Sequence, residues 1–290
     1  MVKIIAEIGS VHDGSFGNAC KLIEAAAESG ADIVKFQTHI ANEETLINAP
    51  SPSYFSVEDR FSYFERTSFS IDQWKKLKKV ASDNNLSFLS SPFSIKAVDL
   101  LESIEIDAYK IASGEVTNLP LLEKIASTNK EIFLSTGMSN FEEIDQALKI
   151  LKTNKPLTVM QCSSIYPCPP EKVGINVIEI MKSKYFDFAK IGFSDHTLGF
   201  AAGIAAVVKG AEVIEKHLTL SNRMYGSDAA NAMEVEEFKF FVKMIRETSI
   251  IKNSIIDKDD LTDYREMKNI FEKSIVASRK IPEGKSIQID

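Results

Sequence analysis

Eight short apolar runs, each followed by an amphipathic helical stretch, predict an α/β fold for this 290-residue chain, a TIM-type (β/α)8 barrel. Eight βα units are the number that closes such a barrel. No G-x-G-x-x-G follows the first strand, which sets aside a doubly wound dinucleotide-binding sheet. The length also fits, because domains of this kind run to roughly 250 residues.

Strands are expected at Lys3–Ile8, Asp32–Phe36, Ser87–Ser90, Ala108–Ile111, Ile132–Ser135, Leu157–Gln161, Phe188–Ile191 and Glu212–Glu215. Each is a run of apolar or β-branched residues bounded by polar or turn-forming ones. The helices that follow fall near 17–29, 70–84, 94–103, 118–128, 141–152, 173–183, 198–209 and 234–247. Two helix starts carry capping-box spacing, Ser70 with Gln73 and Ser139 with Glu142.

Two stretches exceed a minimal barrel. The loop after the second strand, 38–69, is long and rich in Tyr54, Phe55, Phe61, Tyr63 and Phe64. A loop of that length without secondary-structure signals reads as a lid, a binding loop, an interface or a packed surface loop. At the other end Lys252–Asp263 is polar, and a helical stretch runs to about Glu272. Ser274–Lys285 then reads as a strand, a turn and the start of a second strand. The division expected is a barrel over 1–272 and the beginning of a small, incomplete β-rich domain over 273–290.

The chain is 44% hydrophobic and 26% charged, with a net charge of −7 and no basic block, which argues against nucleic acid as a partner. Cys20, Cys162 and Cys168 form no C-x-x-C and are odd in number, as in a reduced, cytoplasmic protein. Glu7 comes too early for a signal peptide, and no apolar run is long enough to span a bilayer.

In a (β/α)8 barrel the catalytic groups collect at the carboxyl ends of the strands. Here those ends are polar. Strand one ends in Glu7 and runs into His12-Asp13-Gly14, while Lys35 and Gln37 flank Phe36 on strand two and share its inward face. Ser91 ends strand three, and strand four delivers Lys110, Ser113 and Glu115. Ser135 ends strand five at a helix start, where free backbone N–H groups suit an anion. Ser164 and Tyr166 follow strand six, and His196 and His217 follow strands seven and eight.

Two imidazoles on successive parallel strands converge at one sheet edge and there suit a single metal ion; the alternative is a pair of satisfied core histidines. Lys35 and Lys110 admit three readings: a Schiff-base amine, an internal ion pair with Glu7 or Glu115, or a clamp on a phosphate or carboxylate. The surrounding hydroxyls of Ser91, Ser113, Ser135 and Ser194 favour the clamp.

At these same residues the chain resembles the sialic acid synthase family. The matching stretches are Ala6-Glu7-Ile8-Gly9, His12-Asp13-Gly14, Lys35-Phe36-Gln37, Ser91-Pro92-Phe93 and Tyr109-Lys110-Ile111-Ala112-Ser113-Gly114-Glu115. Further along come Leu134-Ser135-Thr136-Gly137-Met138, Tyr166-Pro167, Gly192-Phe193-Ser194-Asp195-His196-Thr197, Glu215-Lys216-His217 and Gly226-Ser227-Asp228. They run in family order over nearly the whole chain.

The resemblance implies a metal-dependent transferase of carbohydrate biosynthesis. It would condense phosphoenolpyruvate with an N-acylated hexosamine, such as N-acetylmannosamine, to give a nonulosonic acid and phosphate. It further implies that His196 and His217 hold a divalent metal, Mn²⁺ with Mg²⁺ or Co²⁺ as alternatives. Lys35, Ser91, Lys110, Ser113, Ser135, Ser164 and Ser194 would bind phosphoenolpyruvate, and Gln37, Tyr166 and Asp228 the sugar. Glu115 would assist proton transfer, and Asp13 stands where some members carry a glutamate proposed as a base. A homodimer is implied as well.

Three departures stand out. Val11 and Ser164 replace asparagines found in other members, and Ser274–Asp290 resembles only the opening of the antifreeze-like domain with which members usually end. That domain inserts an arginine into the partner's sugar site, and no such arginine is assigned here. Other readings are a condensing enzyme making seven- or eight-carbon keto-acids, or a catalytically incomplete barrel acting as a binding partner.

Overall fold

Every second residue of each barrel strand points inward, and the first inward layer is apolar. The structure, a computed structural model, describes residues 1–51, 58–152, 156–226 and 228–287. Tyr54, Phe55, Ser227 and the last three residues, 288–290, lie outside the described residues. The barrel strands are β1 (Lys3–Gly9), β2 (Ile33–Thr38), β3 (Ser87–Pro92), β4 (Ala108–Ile111), β5 (Glu131–Ser135), β6 (Leu157–Cys162), β7 (Lys190–Asp195) and β8 (Val213–Thr219). All pair in parallel with their sequence neighbours, and β1 pairs with both β2 and β8, so the sheet closes as expected. A two-residue β9 (Met233–Glu234) adds to β8.

The helices are α1 (Phe16–Glu28), α2 (Ala41–Glu44), α3 (Arg60–Thr67), α4 (Ile71–Asp83), α5 (Ile95–Ser103), α6 (Leu119–Ser127), α7 (Phe141–Leu151), α8 (Ile175–Tyr185), α9 (Ala201–Lys209), α10 (Val235–Asn253) and α11 (Arg265–Phe271). Ser70 caps α4 in the capping box expected with Gln73. The second box is shifted by one residue. Asn140, not Ser139, caps α7, accepting from Glu143 N at 3.0 Å while Glu143 accepts from Asn140 N at 2.9 Å. Either side chain can cap, and the helix begins where the apolar stripe of Ile144, Ala147 and Leu148 meets the barrel.

Two cores result. Between strands and helices lies a continuous apolar shell that includes Ile4, Val34, Tyr109, Leu134 and Ile214. Inside the barrel a separate cluster of Ile5, Ile33, Leu89, Ala108, Phe133, Met160 and Val213 forms one packed layer. β7 contributes Gly192 at this level, where a Cβ would come within 3.0 Å of Met160 Cγ and 3.1 Å of the Val213 carbonyl. The missing side chain makes room for methionine.

The 38–69 loop departs from expectation, since it forms α2 and α3. Tyr63 of α3 is buried, and its hydroxyl donates to Ser10 Oγ at 2.9 Å just past β1. The barrel unit ends at Lys252, and Asn253–Asp290 forms a second unit. Within that second unit the turn at Glu283-Gly284 forms, but no strand does among residues 273–287. A lone hairpin has no sheet to pair with and is marginal in water.

Candidate active site

Two residues beyond the apolar layer, on the same inward face, the strands present Glu7, Lys35, Ser91, Lys110, Ser135, Cys162, Ser194 and Glu215. Together they form the floor of a cavity of about 490 Å³ at the carboxyl end of the barrel. The strand period that builds the apolar layer thus builds the polar one above it.

Glu215 is the hub of this floor. Its carboxylate accepts from Lys110 Nζ at 2.7 and 2.9 Å and from Ser194 Oγ at 2.9 Å, and it lies 3.4 Å from Lys35 Nζ. Lys35 Nζ is also 3.1 Å from Glu7, which accepts from Gln37 Nε2 at 2.9 Å. Burial opposes every one of these charges. For Lys35, the carboxylates of Glu215 and Glu7 outweigh burial and hold the ammonium's pKa above its usual range. For Lys110, burial together with Lys35 prevails over Glu215 and lowers it. Lys110 and Lys35 pull Glu215 far below the ordinary carboxylate range, against the effect of burial. Of the readings open for the lysines, the resting arrangement is the internal ion pair, with Glu7 as anticipated but with Glu215 in place of Glu115.

Ser91 and Ser135 are buried, and their hydroxyls have no hydrogen-bond partner among the described residues. An unpaired buried hydroxyl is costly unless a ligand satisfies it. Ser113 Oγ accepts from Gly137 N at 3.0 Å, and Ser164 lines the same wall. Ammonium and hydroxyl donors facing one space suit an oxyanion. Cys162 lies among them, but burial raises its thiol pKa, so no ready nucleophile results.

Above the floor, His196 and His217 face each other with ring centroids 5.7 Å apart. The Ser163 carbonyl, 2.7 Å from His196 Nδ1, takes that nitrogen's hydrogen and turns the Nε2 lone pair toward the cavity. There the Tyr166 hydroxyl donates to it at 2.8 Å. His217 Nδ1 is buried without a partner. Burial lowers both imidazole pKa values and keeps the rings neutral at neutral pH, the form that ligates metals. Among the described residues no three His, Cys, Asp or Glu side chains converge on one point. What fits a divalent cation is the pair itself, two neutral imidazoles 5.7 Å apart that would leave the remaining positions to small ligands.

Gln37, Tyr166 and Asp228 line the cavity as expected. Asp228 approaches over Gly9, whose φ of +55° and absent side chain let Asp228 Oδ2 lie 2.4 Å from where a Cβ would stand. Glu115 also lines the cavity, from the short turn after β4; Asn118 Nδ2 donates to it at 2.8 Å, and burial raises its carboxyl pKa. Asp13 lies outside the cavity lining, in a left-handed turn with φ 51°, where it pairs with Arg66 Nη2 at 2.8 Å. Val11 is fully buried in the outer core, so its apolar character serves packing.

Sequence reading missed two groups. Glu215 shares the inward face of His217, and the period-two rule applied to β8 would have found it. The rim carried no such signal. His39 is stacked between Phe64 and Phe93 at 3.6 and 4.2 Å, with Nδ1 2.7 Å from Glu44 Oε1 and Nε2 3.2 Å from Gln37 Oε1. Arg60 Nη2 donates to Thr45 Oγ1 at 2.5 Å, while its Nε is buried without a partner. Glu215, His39 and Arg60 all line the cavity.

A closed (β/α)8 barrel with a charged floor and two neutral imidazoles at its carboxyl mouth has the layout of a barrel enzyme acting on a small anion. Residues 22–257 match the NeuB family, and the chain belongs to that family of nonulosonate synthases. It is 38% identical to the N,N'-diacetyllegionaminic acid synthase of Campylobacter jejuni, over 97% of this chain and 86% of that one. It is 33% identical to human N-acetylneuraminate-9-phosphate synthase, over 99% and 81% of the two chains. Among solved structures, the N-acetylneuraminic acid synthetase of Leptospira borgpetersenii in complex with citrate superposes with a TM-score of 0.82 at 28% identity, over 94% and 93% of the two chains. A truncated 3-deoxy-D-arabino-heptulosonate 7-phosphate synthase from Thermotoga maritima shares the fold at 15% identity, with a TM-score of 0.67 over 86% and 87%.

Proposed function

We propose that this chain condenses phosphoenolpyruvate with an N-acylated hexosamine, giving a nonulosonic acid and inorganic phosphate. The observation that carries the reading is the floor. Lys35 and Lys110 gather around Glu215 beside the unpartnered hydroxyls of Ser91 and Ser135, directly below a neutral histidine pair, in a chain of this family. Lys35, Lys110, Ser91, Ser113, Ser135, Ser164 and Ser194 bind the carboxylate and phosphate of phosphoenolpyruvate. Gln37, Tyr166 and Asp228 orient the sugar in its open-chain form.

C3 of the enol then forms its bond to the sugar aldehyde carbon, and the aldehyde oxygen gains a proton to become a hydroxyl. Glu115, whose buried carboxyl keeps a proton to higher pH than an exposed one, stands in the cavity wall to donate it. C2 is left as an oxocarbenium ion, which the carboxylates of Glu7 and Glu215 stabilise. Water adds at C2 and gives up one proton, which returns Glu115 to its acid form; the C2–O bond to phosphate then breaks with its electron pair leaving on phosphate, and the C2 hydroxyl passes its proton to that phosphate as the ketone forms. His196 Nε2 and His217 would hold a divalent cation, Mn²⁺ being the expected ion, which when bound supplies Lewis-acid polarisation of the aldehyde. Asp13, outside the cavity, has no part in this reading.

The test is phosphate release from phosphoenolpyruvate with Mn²⁺ and a panel of N-acylated hexosamines, with and without EDTA. Chelator-sensitive release with one sugar is expected. Release with arabinose 5-phosphate and with none of the N-acyl sugars would replace the reading with a keto-acid synthase. Silence throughout, with phosphoenolpyruvate still binding, would favour a binding role.

A further inference from the structure

The segments that carry the two imidazoles are tied together on their outer side by an ion pair that the chemistry above does not use. β7 and β8 run in register with Asp195 opposite Lys216. Both side chains point away from the cavity, while Ser194, Glu215 and His217 on the same strands line it. Lys216 Nζ lies 2.9 Å from Asp195 Oδ2 and donates to the Thr197 carbonyl at 2.5 Å. Asp195 Oδ1 accepts from Thr197 N at 2.9 Å and from Thr197 Oγ1 at 2.8 Å. Neither side chain is more than 1% exposed, and Lys216 Nζ sits 5.9 Å from the centre of the Phe241 ring of α10.

The consequence is local. Lys216 holds the residue before His196 by its side chain and the residue after it by its carbonyl. His217 is its own chain neighbour. The His196 carbonyl is fixed as well, accepting from Cys168 N at 2.8 Å. A buried ion pair is a poor means of adding stability, because apolar residues of similar volume do as well or better. What it supplies here is direction, through a set of short, charge-assisted contacts spread over three consecutive residues.

We infer that Lys216 and Asp195 are positioning residues that set the separation and orientation of His196 and His217, so that losing Lys216 loosens the divalent-cation site. The inference rests on the histidine-pair reading proposed above.

The experiment measures Mn²⁺ binding by the loss of the free-ion electron paramagnetic resonance signal, alongside thermal unfolding. It compares the full chain with Lys216→Met and with the double variant Asp195→Asn/Lys216→Met. The double variant leaves no uncompensated charge and keeps an acceptor for Thr197 N, so it remains informative where the single variant fails to fold. Mn²⁺ affinity should fall by about 10- to 100-fold in both variants, the range for lost partners of metal-ligating histidines. The melting temperature should recover in the double variant while the affinity does not. Wild-type affinity in the double variant would overturn the inference and leave the pair a purely structural contact. If the wild-type chain holds no Mn²⁺, the histidine-pair reading itself falls. The ¹⁵N chemical shifts of the His196 and His217 rings then decide the positioning question without metal: displaced in the double variant they support it, and unchanged they overturn it.

Discussion

On the cavity floor, Lys35, Lys110, Glu7 and Glu215 stand on strands, each two residues above an apolar inward neighbour, and each is held by a charge on another strand. On the rim, His39, Glu44, Thr45 and Arg60 come from the one segment between β2 and α4 and hold one another within it, His39 to Glu44 and Arg60 to Thr45. The floor's charges are matched by neighbours, lysine to glutamate. Among the described residues Arg60 makes no ion pair within 4 Å and its Nε has no hydrogen-bond partner. The contrast separates two tasks. A register-fixed, internally compensated floor suits the substrate part common to a reaction, whereas a loop-built wall with donors to spare suits the part that varies.

Glu215→Gln should have the largest effect. Removing the shared carboxylate leaves the Lys110 ammonium buried without its counter-charge, a loss of about 3–5 kcal/mol in urea unfolding. Phosphate release should vanish with it. A variant as stable as the wild type would mean that the floor is not internally compensated.

His12 lies outside the cavity lining, in the turn after β1, packed on Phe69 at 4.6 Å and accepting from Gly14 N at 3.1 Å. Burial, reinforced by His39 and opposed by Asp228, pushes its pKa from 6.5 down to about 4. The unfolded chain therefore takes up a proton that the folded one refuses. Stability should fall as pH drops from 6.5 to about 4, by about 3 kcal/mol from this residue, and then stop falling on its account. His12→Asn, which keeps an acceptor for Gly14 N, should flatten that part of the pH profile. An unchanged slope would show that His12 is protonated in the fold.

Arg60→Ala tests the rim directly. Loss of a charge-assisted hydrogen bond should raise KM for the second substrate by about 10- to 100-fold. The affinity for phosphoenolpyruvate, a floor ligand, should be unchanged. Equal losses for both substrates would erase the distinction between floor and rim.

Asn140→Ala, at the cap of α7 and away from both regions, should cost about 1 kcal/mol of stability and leave both substrate affinities intact. A change in either KM would show that strand-end helices tune the cavity from outside.

How far the sequence could be read follows the same division. β4 falls where its apolar run predicts it, but β7 and β8 extend to Asp195 and Thr219, beyond the expected ends at Ile191 and Glu215. Their upper halves are polar yet buried, because Asp195 pairs with Lys216 and Glu215 with Lys110, and hydrophobicity alone does not register paired charges. The same blindness hid Glu215. Lys35 and Gln37 were legible because their spacing gives them one face. The place of Asp13 was not legible, because nearness to the end of β1 in sequence says nothing of the left-handed turn that sets it beside Arg66. His39, just past the end of β2, and Arg60, at the start of α3, reach the cavity from a loop that carried no periodic signal, so their place depends on tertiary packing.

The apolar layer of Ile5, Ile33, Leu89, Ala108, Phe133, Met160 and Val213 has one more consequence. Among the described residues it closes the barrel beneath the floor, so the floor is the bottom of the chamber and traffic to it from the carboxyl end must queue. Whatever occupies the floor has to enter first and leave last, with the later arrival standing between it and solvent. Product-inhibition kinetics would then show phosphoenolpyruvate and phosphate competing for the free enzyme, and the sugar binding only behind them.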